Sequence, residues 1–293
     1  MLRRMIIAML LLGTLLTGCR RGPSQGTPST SGDQSLVNKG SDTMVNIALA
    51  WAESYHAANP AISIAVTGGG SGTGIAALIN GTVDIANASR QIKPEERTNA
   101  EASGVTPVEL VVARDAIAVI VHLDNPVDQL TIDQLSAIFS GQIENWSEVG
   151  GEDRPIVRLS RETNSGTHVF FLETVVRKGD KNDRTLFSRD TLLLPSSEGI
   201  TTEVGQNPNA IGYDGLGYVT EDTKVVAVAR DAAGPFVLPS AETVENELYP
   251  IARDLYMYTA GEPVGDVKAY LDWILSPEAQ TIVSDLGFVP LSP

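Results

Sequence analysis

The sequence predicts an α/β protein with two lobes and mainly parallel sheets, and three observations support this class. Predicted strands and helices alternate from residue 36 to residue 286, as they do in chains built from βαβ units. The chain has 293 residues, of which 42% are hydrophobic, so it can bury a sizeable core in more than one lobe. Residues 62–79 show the pattern most clearly, as a strand, a glycine-rich loop and a helix in direct succession.

The glycine-rich loop predicts an anion site. Ile62, Ile64 and Val66 alternate with other residues, which indicates a strand, and the run GGGSGTG at 68–74 follows before a helical stretch at 75–79. A strand that enters a helix through glycines gathers unpaired backbone N–H groups, a hydroxyl group and the positive helix end at one point. The same arrangement recurs, since Ser41-Asp42-Thr43 and Ser165-Gly166-Thr167 also precede helical stretches.

Two nucleotide-binding motifs do not fit this loop. A phosphate loop needs a lysine where Ile75 stands. A dinucleotide fingerprint needs an acidic residue at the end of the next strand, and Asp84 comes too early for that role. Nucleotide binding is therefore disfavoured.

The N-terminus has the features of a targeting segment. Two arginines precede an apolar run at residues 5–16, which is too short to span a bilayer comfortably, and Leu16-Thr17-Gly18-Cys19 follows. This stretch resembles a bacterial lipobox, so we expect a signal peptide at 1–18 and a lipid on Cys19. Residues 19–35 are rich in Ser, Thr, Gly and Pro and are expected to form a flexible tether.

Composition limits the partners. Cys19 is the only cysteine, which rules out an internal disulfide and a metal–thiolate cluster. Cleavage before Cys19 would leave 19 basic and 36 acidic residues, so nucleic acid is a poor partner. A small anion remains possible, because exposed charges are screened over about 10 Å while buried donors act at contact.

The remaining elements alternate along the chain. Asn59-Pro60 ends the first helix, and Thr131 with Gln134 predicts a capped helix at 131–139. The segment 107–123 is interpreted as two strands that meet at Arg114-Asp115. The other predicted strands are 36–40, 83–88, 156–159, 210–213, 224–229 and 249–259, and the other predicted helices are 43–58, 93–103, 168–176 and a pair in 264–286 divided at Ser276-Pro277.

Several of these motifs together resemble one family. They are Lys39 to Thr43, the glycine run with Val83-Asp84-Ile85, Ser89-Arg90, RETNSGT at 161–167, and Ala210 to Tyr213. Their combination is similar to the phosphate-binding proteins that serve the Pst-type phosphate ABC importer. Residues 271–280 are similar to the closing helix of the wider solute-binding superfamily. The resemblance covers roughly residue 36 to the end.

The resemblance implies a fold and a function. The fold would be α/β and periplasmic-binding-protein-like, of type II, with two lobes that each contain a mixed sheet flanked by helices. Lobe 1 would comprise 36–116 and 250–293, and lobe 2 would comprise 117–249. The protein would be a monomer outside the cytoplasmic membrane, would bind inorganic phosphate and deliver it to the membrane permease subunits of the importer, and would need no cofactor, metal or catalytic residue.

The family's binding residues map onto this chain by motif, with two departures. Thr163-Asn164 stands where relatives often have Asp-Gly, so carboxylate support for Arg161 from that position is lost. Some relatives have an aspartate where Arg90 stands, so we predict that Asp115 accepts the proton of bound phosphate. The predicted phosphate-binding residues are Ser41, Thr43, Ser71, Ser89, Arg90, Asp115, Arg161, Ser165, Gly166 and Thr167.

Other interpretations stay open at this point. Ser41 and Ser165 are also suited to helix caps, Arg90 to a surface ion pair and Asp115 to a turn at the hinge. The anion could be another tetrahedral oxyanion, such as sulfate or molybdate. A phosphatase-type hydrolase could use Ser165 with His168, but Ser165 does not stand in a Gly-x-Ser-x-Gly elbow, and the sequence shows no cluster with metal-ligand spacing.

Overall fold

The structure is a computed structural model that describes residues 34–291. Cys19, the predicted signal peptide and the tether up to residue 33 lie outside the described residues. The first strand begins at Gln34. The last two residues assigned to the tether therefore belong to the folded protein, which corrects the predicted start by two residues.

Ten strands and nine α-helices are found in residues 34–291. The strands are β1 (Gln34–Gly40), β2 (Ile62–Thr67), β3 (Ile85–Ala88), β4 (Pro107–His122), β5 (Gln129–Thr131), β6 (Val157–Arg161), β7 (Leu192–Leu194), β8 (Ala210–Gly215), β9 (Thr223–Ala229) and β10 (Ala252–Ala260). The helices are α1 (Val45–Ala58), α2 (Ser71–Ile79), α3 (Pro94–Ala102), α4 (Ile132–Ser140), α5 (Gly166–Phe171), α6 (Ser197–Gln206), α7 (Ala241–Glu245), α8 (Gly265–Ile274) and α9 (Pro277–Asp285).

The strands pair in the order β2-β1-β3-β10-β4-β8-β6-β7, and β9 joins β4 to β5. The pairs of β1 with β2 and β3, and of β6 with β7 and β8, are parallel, as the alternation of elements predicts. The prediction of mainly parallel sheets is wrong in the middle, where β4 and β10 run antiparallel to their neighbours. The reason is topological. The chain leaves the group formed by β1, β2 and β3 along β4 and comes back to it along β10, so β4 and β10 run side by side in opposite directions.

Strand β4 is continuous, so the prediction of two strands meeting at Arg114-Asp115 is wrong. Its first part, up to Ala116, pairs with β10, and its second part, from Ile117, pairs with β8 and β9. The two charged residues do not break the strand because β10 supplies an opposite charge for each. Arg114 contacts Asp254 at 3.5 Å, and Asp115 contacts Arg253 at 2.8 Å.

The buried apolar side chains form two large clusters, one on either side of the point where β4 changes its partner from β10 to β8 and β9. One packs around Trp51, Leu255 and Tyr270, where α1, α8 and α9 cover the first group of strands. The other packs around Phe139, Phe171 and other side chains of the segment between β4 and β10. Burial on this scale, at about 25 cal/mol per Å² of apolar surface, is the main term that holds each cluster together.

Local sequence signals explain several helix ends. The predicted cap of α4 is confirmed, since Thr131 and Gln134 exchange hydrogen bonds between side chain and backbone. Helix α5 begins two residues before its predicted start and, after Phe171, continues as a π-helical turn over Leu172–Val176.

Among the helices of residues 34–291, none has both the length and the hydrophobicity that a membrane-spanning helix needs.

Candidate functional site

Six buried hydroxyl-bearing residues converge between the two apolar clusters and are called the hydroxyl cluster below. Ser41 Oγ donates to Ser89 Oγ at 2.9 Å, and Ser71 Oγ lies 3.4 Å from Ser89 Oγ. Thr43 Oγ1 and Thr167 Oγ1 lie 2.8 Å apart. Every member is at most 3% exposed. The hydroxyl cluster consists of Ser41, Thr43, Ser71, Ser89, Ser165 and Thr167.

The chain places these hydroxyl groups where strands end and helices begin. Ser41 follows β1 and precedes a 3-10 turn, and Ser71 is the first residue of α2. Ser165 caps α5, because its Oγ accepts hydrogen bonds from the backbone N–H groups of Thr167 and His168. The cap interpretation of Ser165 is therefore correct, and the same residue still lies in the hydroxyl cluster. Helix N-termini from distant segments point their positive ends at one place, which favours an anion.

Gly166 allows the two sides of the hydroxyl cluster to approach. A Cβ atom at this position would overlap Ser71 Oγ and Ser89 Oγ. Any other side chain would require both serine hydroxyl groups to turn away, which breaks their mutual contacts, or α5 to move away from them. The close approach in this arrangement therefore depends on glycine at the start of α5.

Arg253 is the cation of this site, and the sequence reasoning missed it. Its side chain is buried on β10 and donates to Thr167 Oγ1 at 3.0 Å and to the carbonyl oxygen of Ser89 at 3.0 Å. It also donates twice to Asp115 Oδ2, at 2.8 and 3.2 Å. A signal was available, since Arg253-Asp254 interrupts an apolar strand just as Arg114-Asp115 does. Only the pairing register shows that Arg253 lies opposite Asp115.

Asp115 is fully buried beside this arginine. Burial raises the pKa of Asp115 to about 6, although the charge and hydrogen bonds of Arg253 act in the opposite direction. Its Oδ1 atom makes no well-formed hydrogen bond within residues 34–291. Gly215 packs against both Asp115 and Thr43. A Cβ atom added to Gly215 would lie within 3.1 Å of both carboxylate oxygens and of the Thr43 side chain. Asp115 therefore lies close to Thr43 of the hydroxyl cluster, and its Oδ1 can accept a further hydrogen bond beside the weak one that the Leu216 backbone N–H offers to the carboxylate.

Arg161, predicted to contact phosphate, is directed at other groups in this structure. It donates to Asp42 Oδ2 at 2.7 Å and to Ser197 Oγ at 2.7 Å, and it lies 3.6 Å from Asp214 Oδ2. Burial raises the pKa of Asp214, and the charge of Arg161 opposes that rise. Asp42 and Asp214 thus provide the carboxylate support that Thr163-Asn164 does not.

Arg90 also makes its hydrogen bonds to groups outside the hydroxyl cluster. Its guanidinium group forms a two-pronged pair with Glu96 at 2.7 and 2.8 Å and donates to the carbonyl oxygen of Gln91. The side chain is buried rather than on the surface. The ion-pair interpretation of Arg90 therefore describes its contacts better than a direct role among the hydroxyl groups.

Asn164 joins the two sides of the site through the glycine-rich loop. Its carbonyl oxygen accepts a hydrogen bond from Gly72 N at 3.1 Å, and its Nδ2 donates to the carbonyl oxygen of Gly69 at 2.9 Å. The residue that departs from the family pattern thus holds the loop of β2 and α2 against the loop that precedes α5.

His168 does not pair with Ser165 as a hydrolase would require. Its Nδ1 lies 3.0 Å from Ser160 Oγ, which in turn lies 2.6 Å from the Tyr213 hydroxyl. Burial lowers the pKa of His168, so the ring is neutral near pH 7. The imidazole is a packed member of the core beside Phe187.

Comparison with known proteins agrees with this geometry. A family model described as a PBP superfamily domain matches residues 25–278. The phosphate-binding protein PstS of Pseudomonas aeruginosa is 34% identical over 284 residues, which cover 91% of this chain and 85% of that protein. The PstS of Bacillus subtilis is 33% identical, with 92% and 84% covered.

Solved structures give the same result. A Clostridium perfringens structure, described as a phosphate ABC transporter substrate-binding protein with bound phosphate, is similar with a TM-score of 0.79 and 33% identity, covering 88% of this chain and all of that one. An ABC-type phosphate transport receptor of Vibrio cholerae is similar with a TM-score of 0.70 and 28% identity, with the same shares covered. The predicted α/β, periplasmic-binding-protein-like fold is confirmed. The chain belongs to the PBP superfamily and, within it, to the family of the phosphate-binding protein PstS.

Proposed function

We propose that this protein binds inorganic phosphate outside the cytoplasmic membrane and delivers it to the permease subunits of an ABC importer. The observation that carries the proposal is the hydroxyl cluster, because it combines six buried hydroxyl-bearing residues, three helical N-termini and Arg253. The hydroxyl groups bond mainly to one another here, and an anion that accepts from many donors can replace these neutral contacts by stronger, charge-assisted hydrogen bonds. A tetrahedral oxyanion is a ligand of that kind.

Phosphate is favoured over sulfate by the chemistry of Asp115. Phosphate near neutral pH still carries a proton, whereas sulfate carries none. An ionised Asp115 can accept the hydrogen bond of that proton through its Oδ1, while sulfate would meet the carboxylate with no proton between them. This assignment keeps Asp115 as the proton acceptor and adds Arg253 as the cation of the site.

The two apolar clusters are proposed to be the cores of two lobes that close on the ligand, with lobe boundaries near residues 116 and 250 on β4 and β10. The contacts of Gly166, Thr167 and Asn164 with the first lobe would then form only in the closed state. A ligand held between the lobes stabilises that state by its differential affinity for the closed and open forms. Arg161 and Arg90, which the resemblance predicts as phosphate-binding residues, are proposed here to support the site in this state rather than to contact the ligand directly.

We propose binding rather than catalysis. The side chains of Ser165 and His168, which the rival hydrolase would need in contact, are engaged separately with the α5 backbone and with Ser160. Lipid attachment at Cys19 and action as a monomer belong to the same proposal. Sulfate and molybdate remain the alternative ligands.

The proposal is tested by calorimetric titration of the purified protein, after bound phosphate has been stripped, with phosphate, sulfate and molybdate. We expect phosphate to bind far more tightly than the other two. If sulfate or molybdate bound as tightly as phosphate or more tightly, phosphate would not be the preferred ligand and the proposal would be wrong. Turnover of a chromogenic phosphate ester that is abolished by Ser165→Ala would instead support the hydrolase.

A further inference from the structure

Beside the hydroxyl cluster lies a cavity of about 850 Å³, called the basic cavity below. Residues near the start of α3 form one wall, and the segment that follows α5 forms the opposite wall. Six of the chain's 21 lysines and arginines line it, against only three of its 36 aspartates and glutamates. The cationic lining residues are Arg90, Lys93, Arg177, Lys181, Arg184 and Arg253. The chain as a whole has a formal net charge of −15, so the lining of this cavity is positively charged in an otherwise acidic protein.

Most of this positive charge is not neutralised by ion pairs. Arg90 is paired with Glu96 and Arg253 with Asp115, but Lys93, Arg177, Lys181 and Arg184 have no carboxylate within 4 Å among residues 34–291. Lys181 and Arg184 are exposed at the rim. Of the acidic lining residues, Asp254 is engaged with Arg114, which leaves Glu173 and Asp180. The basic cavity therefore has an excess of positive charge that water and mobile anions can reach.

The basic cavity and the hydroxyl cluster share a wall. Arg253 lines the cavity and also donates to Thr167 and to the Ser89 carbonyl oxygen. Phe170, over whose ring Arg253 lies at 5.5 Å, lines the cavity from the α5 side. Arg253 therefore stands between the basic cavity and the hydroxyl cluster. When the two proposed lobes separate, an anion in the cavity needs to pass only Arg253 to reach the hydroxyl groups.

We propose that the basic cavity is an anion vestibule, a weak and solvent-accessible subsite that attracts inorganic phosphate and raises the rate at which it enters the hydroxyl cluster. The inference rests on the proposed function and adds an entry site to it. Clefts lined by one sign of charge raise association rates, and the effect falls steeply with ionic strength. The exposed cations at the rim would act on the approach of phosphate and not on the fully buried anion.

The test is rapid-mixing measurement of phosphate association and dissociation, with radiolabelled phosphate, at low and high salt. The vestibule variant is Lys181→Gln with Arg184→Gln, both exposed, so the fold is not at risk. The charge-matched control is Lys178→Gln with Lys268→Gln, which removes two exposed lysines outside the cavity lining. Glu173→Gln, which removes a negative charge from the lining, is the variant of opposite sign.

We expect the vestibule variant to associate about 5-fold more slowly than the control at low salt, with a dissociation rate within 2-fold of wild type. The difference should vanish near 1 M salt, where the Debye length is about 3 Å. Glu173→Gln should associate about 2-fold faster. Equal association rates for the vestibule variant and the control at low salt, in a wild-type protein that binds phosphate, would overturn the inference. A wild-type protein that does not bind phosphate at all would overturn the proposed function instead.

Discussion

The hydroxyl oxygens of Thr43 and Thr167 lie 2.8 Å apart, although the two residues are 124 positions apart in the chain. Thr43 lies just before α1 and Thr167 lies in the first turn of α5, and Arg253 donates to the Thr167 hydroxyl at 3.0 Å. This contact joins the segment before α1 to the start of α5 through polar groups.

Gly166→Ala should prevent closure without unfolding the protein. The new Cβ atom would overlap Ser71 Oγ and Ser89 Oγ, and the two proposed lobes can relieve the overlap by staying apart. We expect phosphate affinity to fall at least 100-fold, and small-angle scattering to show no compaction on adding phosphate. Gly199→Ala on α6, whose Cβ would meet only Ser196 Oγ at 3.2 Å and Leu194, is the control and should compact as wild type does. Compaction of Gly166→Ala would contradict the assigned closed contact.

Arg253→Met should be strongly destabilising because it leaves Asp115 buried without its partner. Breaking a buried ion pair by removing one side costs about 3–5 kcal/mol. Replacing Asp115 by Asn in the same chain should recover a large part of that loss, since the unpaired carboxylate is then gone. Urea unfolding of the two single variants and the double variant measures this coupling. Additive losses would show that the two residues do not stabilise each other.

The pKa of Asp115 predicts a specific pH dependence of stability. Its pKa is about 6 in the folded protein and 3.8 in the unfolded reference, so between these values the folded state binds more protons. The raised pKa stabilises the folded state as long as the folded protein holds the extra proton. This stabilisation is therefore fully present below pH 3.8 and is lost as the pH rises through 6. The loss is on the order of 3 kcal/mol, at about 1.4 kcal/mol per pKa unit. The difference in unfolding free energy between wild type and Asp115→Asn, without phosphate, should show this slope, and a constant difference from pH 4 to 7 would contradict it.

Asp115 and Arg161 should affect anion selectivity differently. Asp115→Asn removes the charge and offers a donor, so phosphate should bind more weakly while sulfate gains. The expected change in preference is on the order of a few kcal/mol, as for other buried polar mismatches. Arg161→Ala should weaken both anions alike, because it removes support that neither anion uses selectively. Calorimetric titration of both anions into each variant decides the matter, and an unchanged phosphate-to-sulfate ratio in Asp115→Asn would exclude it as the proton acceptor.

Cys19→Ser tests the lipid anchor, which lies outside the described residues. The Leu-Thr-Gly-Cys run predicts that the cysteine carries a lipid and that residues 19–33 act only as a tether. We expect the variant protein to be released from or mislocalised at the membrane, with its phosphate affinity unchanged. Fractionation of cells and a titration of the released protein measure both. Retention in the membrane fraction would argue against lipid attachment at this residue.

The sequence by itself determined the local parts of this protein. The glycine-rich loop before α2, the hydroxyl groups that open α2 and α5, and the capped start of α4 each depend on residues within a few positions of one another. Backbone conformation and side-chain caps act over that range, so their signals can be read along the chain. The alternation of elements likewise determined the α/β class.

Only the tertiary structure decided which charges meet. Arg253 contacts Asp115 because β10 returns antiparallel to β4 in one particular register, and no local pattern specifies that register. The same holds for Arg161, which its neighbours in sequence suggested as a phosphate ligand but which packing places between Asp42 and Asp214. A buried charge takes whichever partner the surrounding chain brings within about 3 Å, because leaving it unpaired costs several kcal/mol. The positive lining of the basic cavity arises in the same way, from segments that are far apart in the chain and adjacent only after folding.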